Sequence, residues 1–260
     1  MIWERVTEVI RDKMLPSPAP RSLSALGADM HAHLIPGIDD GAADEAAALA
    51  MLREMEKAGY STCYATPHVM QDYYPNTREI ILQGVEQLRA IAKRERLQLT
   101  VEAGAEYYLD DYFTGIIGKE ELLALGGKYL LFELSFSTFP KSLPDVLFRL
   151  QAEGLKPVLA HPERYPYLFR KKNTEQLEGI RQRGCLFQVN LGSLAGKYGP
   201  EVRRSARQMV DAGMVDFLGS DLHRADQAEM FDIIARDRWF HQLLDSGKLL
   251  NQVLTTRPES

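Results

Sequence analysis

At 260 residues, with 45% hydrophobic and 26% charged side chains, the chain can bury one large domain or two small ones and has the balance of a soluble globular protein. A net charge of −5 argues against a nucleic-acid backbone as partner, no apolar run reaches the length of a membrane span, and the opening Met-Ile-Trp-Glu-Arg-Val lacks a signal-peptide core. Cys63 and Cys185 lie in separate apolar runs, which gives no disulfide framework and fits a reducing compartment, so the expected location is the cytoplasm.

Residues 1–27 read as an N-terminal extension. Ile2, Val6, Ile10 and Met14 recur at near-helical spacing, and Pro16, Pro18 and Pro20 end the pattern. Such a helix packs on the body or on another subunit, which leaves a homo-oligomer open. Residues 28–260 read as one domain. Seven apolar runs, 27–34, 60–67, 97–106, 129–134, 157–161, 185–191 and 215–220, alternate with amphipathic stretches at 44–58, 76–95, 143–153, 174–183 and 200–212. Several of these helices stop at a glycine, Gly59, Gly154, Gly184 or Gly213. Strand and helix alternating seven times predict an α/β fold of parallel strands with right-handed crossovers, either a barrel or an open doubly wound sheet. The densest basic spots, Arg170-Lys171-Lys172 and Arg203-Arg204, read as solvated faces.

The first run carries Asp29-Met-His-Ala-His and ends in Pro36-Gly-Ile-Asp-Asp-Gly41. Side chains alternate along an extended segment, so His31 and His33 face the same way, and the loop lets Asp39 or Asp40 swing a carboxylate back toward them. Two nitrogen and one or two oxygen donors suit zinc or manganese. The other runs end alike. His68 follows the second, Glu106 closes the third, Glu133 lies in the fourth, His161 ends the fifth, and Asp221 and His223 follow the seventh. Six of seven runs thus deliver His, Asp or Glu to the end where α/β folds place their sites, and only His241 falls elsewhere, on a helix surface. So many carboxylates and imidazoles repel or demand protonation unless cations compensate them. The set exceeds what one ion of coordination number about four to six can use, which implies two or three ions, with a carboxylate bridging a pair.

The ordered set His31-Ala32-His33, Asp40, Thr66-Pro67-His68, Glu106, Glu133, His161-Pro162-Glu163-Arg164 and Asp221-Leu222-His223 resembles the polymerase and histidinol phosphatase (PHP) superfamily of trinuclear metal phosphoesterases. Within it, Pro-Gly-Ile-Asp-Asp-Gly, Ala-Thr-Pro-His, His-Pro-Glu-Arg-Tyr and Ser-Asp-Leu-His are similar to the bacterial CpsB/CapC-type protein-tyrosine phosphatases. The resemblance implies a distorted seven-stranded (β/α)7 barrel, here with an N-terminal helical extension, holding three divalent ions, usually manganese, with zinc, iron or magnesium as the other choices. It gives His31, His33, Glu106 and Asp221 to the first ion. Glu106, Glu133 and His161 go to the second, with Glu106 bridging, and Asp40, His68 and His223 to the third. Arg164 matches an arginine that engages phosphate. A second family arginine lies a few residues after the Asp-x-His phrase, whereas Arg224 follows it immediately, in a different register.

The implied activity is hydrolysis of phosphotyrosine in proteins, a bacterial tyrosine kinase among the partners, in the regulation of polysaccharide synthesis or export. A metal-activated water attacks phosphorus without a covalent enzyme intermediate. In agreement, neither cysteine has an arginine six residues later, as the phosphate loop of cysteine-dependent phosphatases requires. The loop after His68 offers Tyr73 and Tyr74 to a phosphotyrosine ring or to packing on their own helix, and Lys141 is a further candidate for an anionic ligand. Tyr107-Tyr108 and Phe136 to Phe139 carry the same two readings. The alternatives are a small-molecule phosphomonoesterase, such as a histidinol phosphatase, and a catalytically silent module that holds metals structurally.

Overall fold

The computed structural model describes residues 18–169 and 174–255. The amphipathic pattern of residues 2–14 and the basic Arg170-Lys171-Lys172 spot lie outside them. Of the other basic pair, Arg204 pairs with Glu201 and Arg203 donates to the Leu194 carbonyl, both within the fold's own surface. No helix among the described residues is long and apolar enough to cross a membrane.

The seven apolar runs become nine strand segments, all paired in parallel: β1 (Ala28–Ala32), β2 (Thr62–Ala65), β3 (His68–Val69), β4 (Thr100–Ala103), β5 (Glu106–Tyr108), β6 (Tyr129–Glu133), β7 (Lys156–Ala160), β8 (Leu186–Asn190) and β9 (Phe217–Gly219). They form a three-stranded sheet, β1-β2-β4, and a six-stranded sheet, β3-β5-β6-β7-β8-β9. The count exceeds seven because two runs are each interrupted at the same level. Ala65 pairs with Ala103, pairing lapses across Thr66-Pro67 and Gly104-Ala105, and it resumes at His68 opposite Glu106. Pro67 has no N–H to donate to a ladder, and Gly104 has no side chain to hold one. The sheet curls until β9 meets β1. That seam is not a ladder but a single bridge, Ala32 to Leu222, with Asp221 N–H donating to the His31 carbonyl at 2.8 Å and His33 N–H to the Leu222 carbonyl at 2.9 Å.

The predicted helices appear as α1 (Glu45–Ala58), α2 (Arg78–Arg94), α4 (Leu143–Ala152), α5 (Thr174–Gln182) and α7 (Pro200–Asp211). Short helices α3 (Asp111–Ile116), α6 (Leu191–Ala195) and α8 (Glu229–Ile234) escaped the periodicity because one or two turns carry too few apolar positions to show it. His241 lies on α9 (Arg238–Ser246), half-buried, its Nε2 2.8 Å from the Ala235 carbonyl. Caps follow the local chemistry. Asp44 accepts from Ala47 N–H at the start of α1, and Gly59, at φ 96°, ends it in the left-handed region where glycine is unstrained.

Two apolar cores flank the sheet. The larger joins the helices to one sheet face through Cys63, Val101, Phe132, Leu159, Phe187, Val189 and Leu218. The smaller fills the inside of the curl with Ala28, Met30, Tyr64, Leu131, Val158, Ala160 and Phe217, closed below by Leu254. Strand β1 switches between them. Ala28 and Met30 belong to the inner core, yet Ala32, of the same parity, belongs to the outer one, because the pairing register shifts between Asp29 and Ala32. Strict alternation from Met30 would send His31 outward; this irregularity turns it inward.

Candidate metal centre

The side chains at the strand ends meet above the inner core. His31 Nε2 lies 3.1 Å from Glu106 Oε2, 3.5 Å from Asp221 Oδ1 and 3.3 Å from His33 Nε2. His33 Nε2 is 3.5 Å from both Glu106 Oε2 and Asp221 Oδ1. On the other side, His161 Nε2 is 3.0 Å from Glu106 Oε1 and 3.9 Å from Glu133 Oε2. His68 faces two ways, with Nδ1 3.2 Å from Glu106 Oε2 and Glu133 Oε1 and Nε2 3.5 Å from Asp40 Oδ1. His223 Nε2 reaches the same Asp40 oxygen at 3.4 Å. Four groups of donor atoms result: His31, His33 and Asp221; His31, Glu106 and His161; His68, Glu106 and Glu133; and His33, Asp40, His68 and His223.

These nine residues are the ones expected as ligands, and Glu106 sits where groups meet. The grouping differs from the expected one: His161 joins His31 and Glu106 and not Glu133, His33 also joins Asp40, His68 and His223, and His68 contacts Glu133 and Glu106 through one nitrogen and Asp40 through the other. The donor set fits divalent cations. Glu106 Oε2 and His68 Nδ1 are buried and 3.2 Å apart, yet neither makes a hydrogen bond. They face a shared volume rather than each other, as ligand lone pairs do around an ion.

Local backbone brings each donor into place. His161 (φ 35°) and Asp221 (φ 52°) are non-glycine residues in the left-handed region, directly after β7 and close behind β9. Such backbone is unfavourable for L-residues, and here it turns both side chains off the strand direction into the site. The loop with Asp39 and Asp40 folds back onto β1 at Gly41. A Cβ there would lie 2.2 Å from the His33 carbonyl oxygen, so only glycine allows the approach. Asp39 faces His33 instead of the cluster, with Oδ2 2.7 Å from His33 Nδ1, while it accepts from Gly41 N–H and His68 N–H. His31 Nδ1 finds Gln188 Oε1 at 2.9 Å, and His223 Nδ1 the Asp221 carbonyl at 3.0 Å.

The electrostatics of the ion-free cluster follow from this crowding. Burial alone would push His31 down, but Glu106 and Asp221 beside it more than offset that and raise it to about 9. His33, equally buried, is held well above its usual value by Asp221, Asp39 and Glu106. Burial would raise Glu106 and Asp221; the imidazoles around them, His31 first, instead hold both carboxyls well below the usual range. The cluster thus biases His31 and His33 toward the protonated form, and cations binding there must displace protons. Loading the ion-free protein with manganese in weak buffer at pH 7 is expected to release protons from this pair, and affinity is expected to climb as pH rises above 7. Calorimetry in buffers of different ionisation enthalpy measures this; a heat independent of buffer contradicts it.

A cavity of about 560 Å³ opens over the cluster, bounded by Asp40, His68, Glu106, Glu133, His161, Asp221 and His223 on its floor. Arg164 forms one wall. Its guanidinium lies between the Phe136 ring at 4.9 Å and the Tyr198 ring at 4.4 Å, and Nη1 donates to Asp221 Oδ2 at 3.0 Å. Arg224 also lines the cavity, mostly exposed, with Nε 3.4 Å from Asp226 Oδ1. Of the expected rim, Met70, Tyr108 and Phe136 line the cavity, while three other residues are placed elsewhere. Tyr73 is 71% exposed and does not line the cavity, nor does exposed Lys141. Tyr74 stacks on the outer side of the His68 ring at 5.5 Å, supporting a ligand instead of facing the opening. The rim is made by Met70, Tyr108, Phe136, Tyr198 and Gln227. Tyr198, Gln188 and Asn190 had no sequence signal, because a search for His, Asp and Glu passes over neutral side chains.

The comparisons with known proteins agree with this geometry. A family model described as "Capsular polysaccharide synthesis, CpsB/CapC" matches residues 27–232. Tyrosine-protein phosphatase YwqE of Bacillus subtilis is 32% identical over 196 residues, 75% of this chain and 76% of that protein. Tyrosine-protein phosphatase CpsB of Streptococcus pneumoniae is 28% identical over 219 residues, 80% and 89% of the two chains. Among solved structures, one from a study of YwqE and CpsB, described there as unique metal-dependent tyrosine phosphatases, aligns with a TM-score of 0.74 at 27% identity, covering 88% of this chain and 94% of that one.

Proposed function

Because this chain belongs to the CpsB/CapC family of capsular polysaccharide synthesis, we propose that it is a metal-dependent protein-tyrosine phosphatase that hydrolyses phosphotyrosine in proteins without a cysteine nucleophile. The observation that carries the reading is one cavity in which a nine-residue set of imidazoles and carboxylates lies beside a guanidinium held ready for an anion. In this reading the nine segments are seven strands of a distorted barrel, and three divalent ions, manganese before zinc, iron or magnesium, occupy its mouth. His31, His33, Glu106 and Asp221 would hold the first, Glu106, Glu133 and His161 the second, and Asp40, His68 and His223 the third. The substrate is a cytoplasmic phosphoprotein, a tyrosine kinase that controls polysaccharide synthesis or export being the natural choice.

The chemistry bound cations supply is activation of water near neutral pH and neutralisation of phosphoryl oxygens. The chain's own residues do the rest. Arg164 presents a planar fork to the phosphoryl group, kept in orientation by the aromatic faces on either side. The cavity volume accommodates an aryl phosphate, and Phe136, Tyr108 and Met70 at the opening give its ring apolar contact. A phenolate, with a pKa of about 10 in water, departs with little help from an acid. The cysteines stay out of the reaction, since both are buried and burial pushes their thiols up.

The test is kcat/KM for a phosphotyrosine peptide, a phosphoserine peptide and histidinol phosphate, with manganese supplied and then chelated. Manganese-dependent preference for phosphotyrosine is the expected result, and preference for histidinol phosphate would make the protein a metabolite phosphatase. Replacing both Cys63 and Cys185 by alanine is expected to leave kcat within about threefold of the parent, as for buried groups outside the reaction. A loss of about a hundredfold in a folded double variant would instead point to a thiol nucleophile.

A further inference from the structure

Strand β8 sends no His, Asp or Glu to the site. Its inward residues are Gln188 and Asn190, both fully buried. We propose that these two amides are positioning residues, a one-way hydrogen-bond chain that fixes the His31 tautomer and the Asp221 carboxylate together, so that both present their donor atoms to the same ion. The inference rests on the cluster being a metal centre, as proposed above.

Three contacts make the chain: His31 Nδ1 to Gln188 Oε1 at 2.9 Å, Gln188 Nε2 to Asn190 Oδ1 at 2.8 Å, and Asn190 Nδ2 to Asp221 Oδ2 at 2.6 Å; beside it, Asn190 N–H donates to Glu163 Oε1 at 2.9 Å. Its direction is set at the carboxylate. An ionised Asp221 only accepts, so Asn190 must turn its NH₂ there and its carbonyl toward Gln188. Gln188 must then give its NH₂ to Asn190 and its carbonyl to His31, which requires a proton on His31 Nδ1. Reversing either amide sets two acceptors against each other. Once one proton is on Nδ1, the lone pair of a neutral His31 is on Nε2, the atom 3.1 Å from Glu106 and 3.5 Å from Asp221 Oδ1. Asp221 is fixed likewise. Asn190 and Arg164 both donate to Oδ2, which leaves Oδ1 facing His31 and His33.

Both amides are themselves held. Asn190 stands at the N-cap position of α6, where its side chain would ordinarily cap the helix, yet it makes no cap bond because the amide is committed to Gln188 and Asp221. Glu163, which accepts from Asn190 N–H, also accepts from Ser193 Oγ at 2.6 Å. Gln188 packs closely on the Gly219 backbone, where a Cβ would lie 2.8 Å from both its Nε2 and His31 Cβ. The two paired imidazoles thus have unlike supports, a carboxylate (Asp39) behind His33 and a neutral amide behind His31. A carboxylate at position 188 could accept from His31 but not donate to Asn190, and the chain would end there.

The experiment measures manganese stoichiometry and dissociation constants of the full chain by chelator competition, for the parent, Gln188→Leu and Gln188→Glu. Support behind a ligand is typically worth about 10–100-fold in metal affinity. Both variants are expected to weaken one ion by that factor while the other ions keep their constants, with activity recovered at excess manganese and KM for the peptide unchanged. Unchanged constants in folded variants overturn the proposal, and so does equal weakening of every ion. Should a variant not fold, the parent protein labelled with ¹⁵N-histidine and loaded with zinc decides, because the proposal requires His31 to be protonated at Nδ1 and ligated through Nε2; ligation through Nδ1 overturns it. A protein that binds its ions by this arrangement but spares phosphotyrosine would defeat the phosphatase reading and leave the positioning role standing.

Discussion

Glu106→Gln is expected to lower kcat/KM for a phosphotyrosine peptide by at least about 10³-fold, at the upper end of what one preorganised electrostatic group contributes. Glu106 is fully buried, and its two oxygens lie within 3.0 to 3.5 Å of His31, His33, His68 and His161. Glutamine has the same shape, so the packing under it has no reason to change. What changes is the charge at the point where the donor groups overlap, and an NH₂ that donates now stands where an oxygen accepted. In the proposed assignment two ions would lose a ligand at once. The variant should fold with the parent's circular dichroism, contain fewer ions by elemental analysis, and recover little activity at high manganese. Activity within about tenfold of the parent would remove Glu106 from the shared position.

Arg164→Lys is expected to cost about 10²–10³-fold in kcat/KM while ion content stays the same. Lysine keeps the charge but loses the flat fork that Phe136 and Tyr198 hold between them. An ammonium makes single bonds and does not lie flat between two rings, so the anion loses paired, oriented donors. Because Asn190 still holds Asp221 Oδ2, the metal floor keeps its support. The split between this variant and Glu106→Gln is informative: kinetics fall in both, ion content in one. If Arg164→Lys also empties the site, the arginine acts through Asp221 rather than on the substrate.

Much of this site could be read from the chain because parallel α/β folds convert a one-dimensional pattern into convergence. His68, Glu106, Glu133, His161 and Asp221 are far apart in sequence, but each closes or follows an apolar run, and runs of one polarity end on one side of the sheet. The helices were legible for a similar reason, since α1 and α2 announce themselves by period and cap residue, and α1 also by its terminal glycine. What escaped depended on tertiary contact. The register shift in β1 that turns His31 inward is set by pairing with β2, and no local residue marks it. The breaks between β2 and β3 and between β4 and β5 were each marked, by Pro67 and by Gly104, but their alignment arises only when the strands pair. Tyr73 and Lys141 looked like rim residues because their loops follow ligands. Which side of a loop faces the opening is decided by packing, which, of the candidates, kept Phe136 and Tyr108 and added Tyr198. Gln188 and Asn190 were invisible because neutral amides are used everywhere in proteins and mean something only beside a particular partner.

The seam between β9 and β1 bears on how the molecule assembles. A ladder there would tie the two ends of the sheet with many backbone bonds; this seam has a single bridge, and side chains do much of the joining, Ser220 donating to Asp29 and Asn251 Nδ2 to the Ala28 and Leu218 carbonyls. The side chains directly above it, His31 and His33 from one edge and Asp221 and His223 from the other, are those that cations would draw together. In the proposed assignment, bound ions would act as a removable rivet between the first and last strands, added to those side-chain ties and joining segments whose long separation in the chain makes their meeting entropically costly. An ion-depleted chain would keep its middle strands and helices and open first along this line. The readiness of the protein to be proteolysed or to exchange amide hydrogens there would report its metal supply, independently of any turnover.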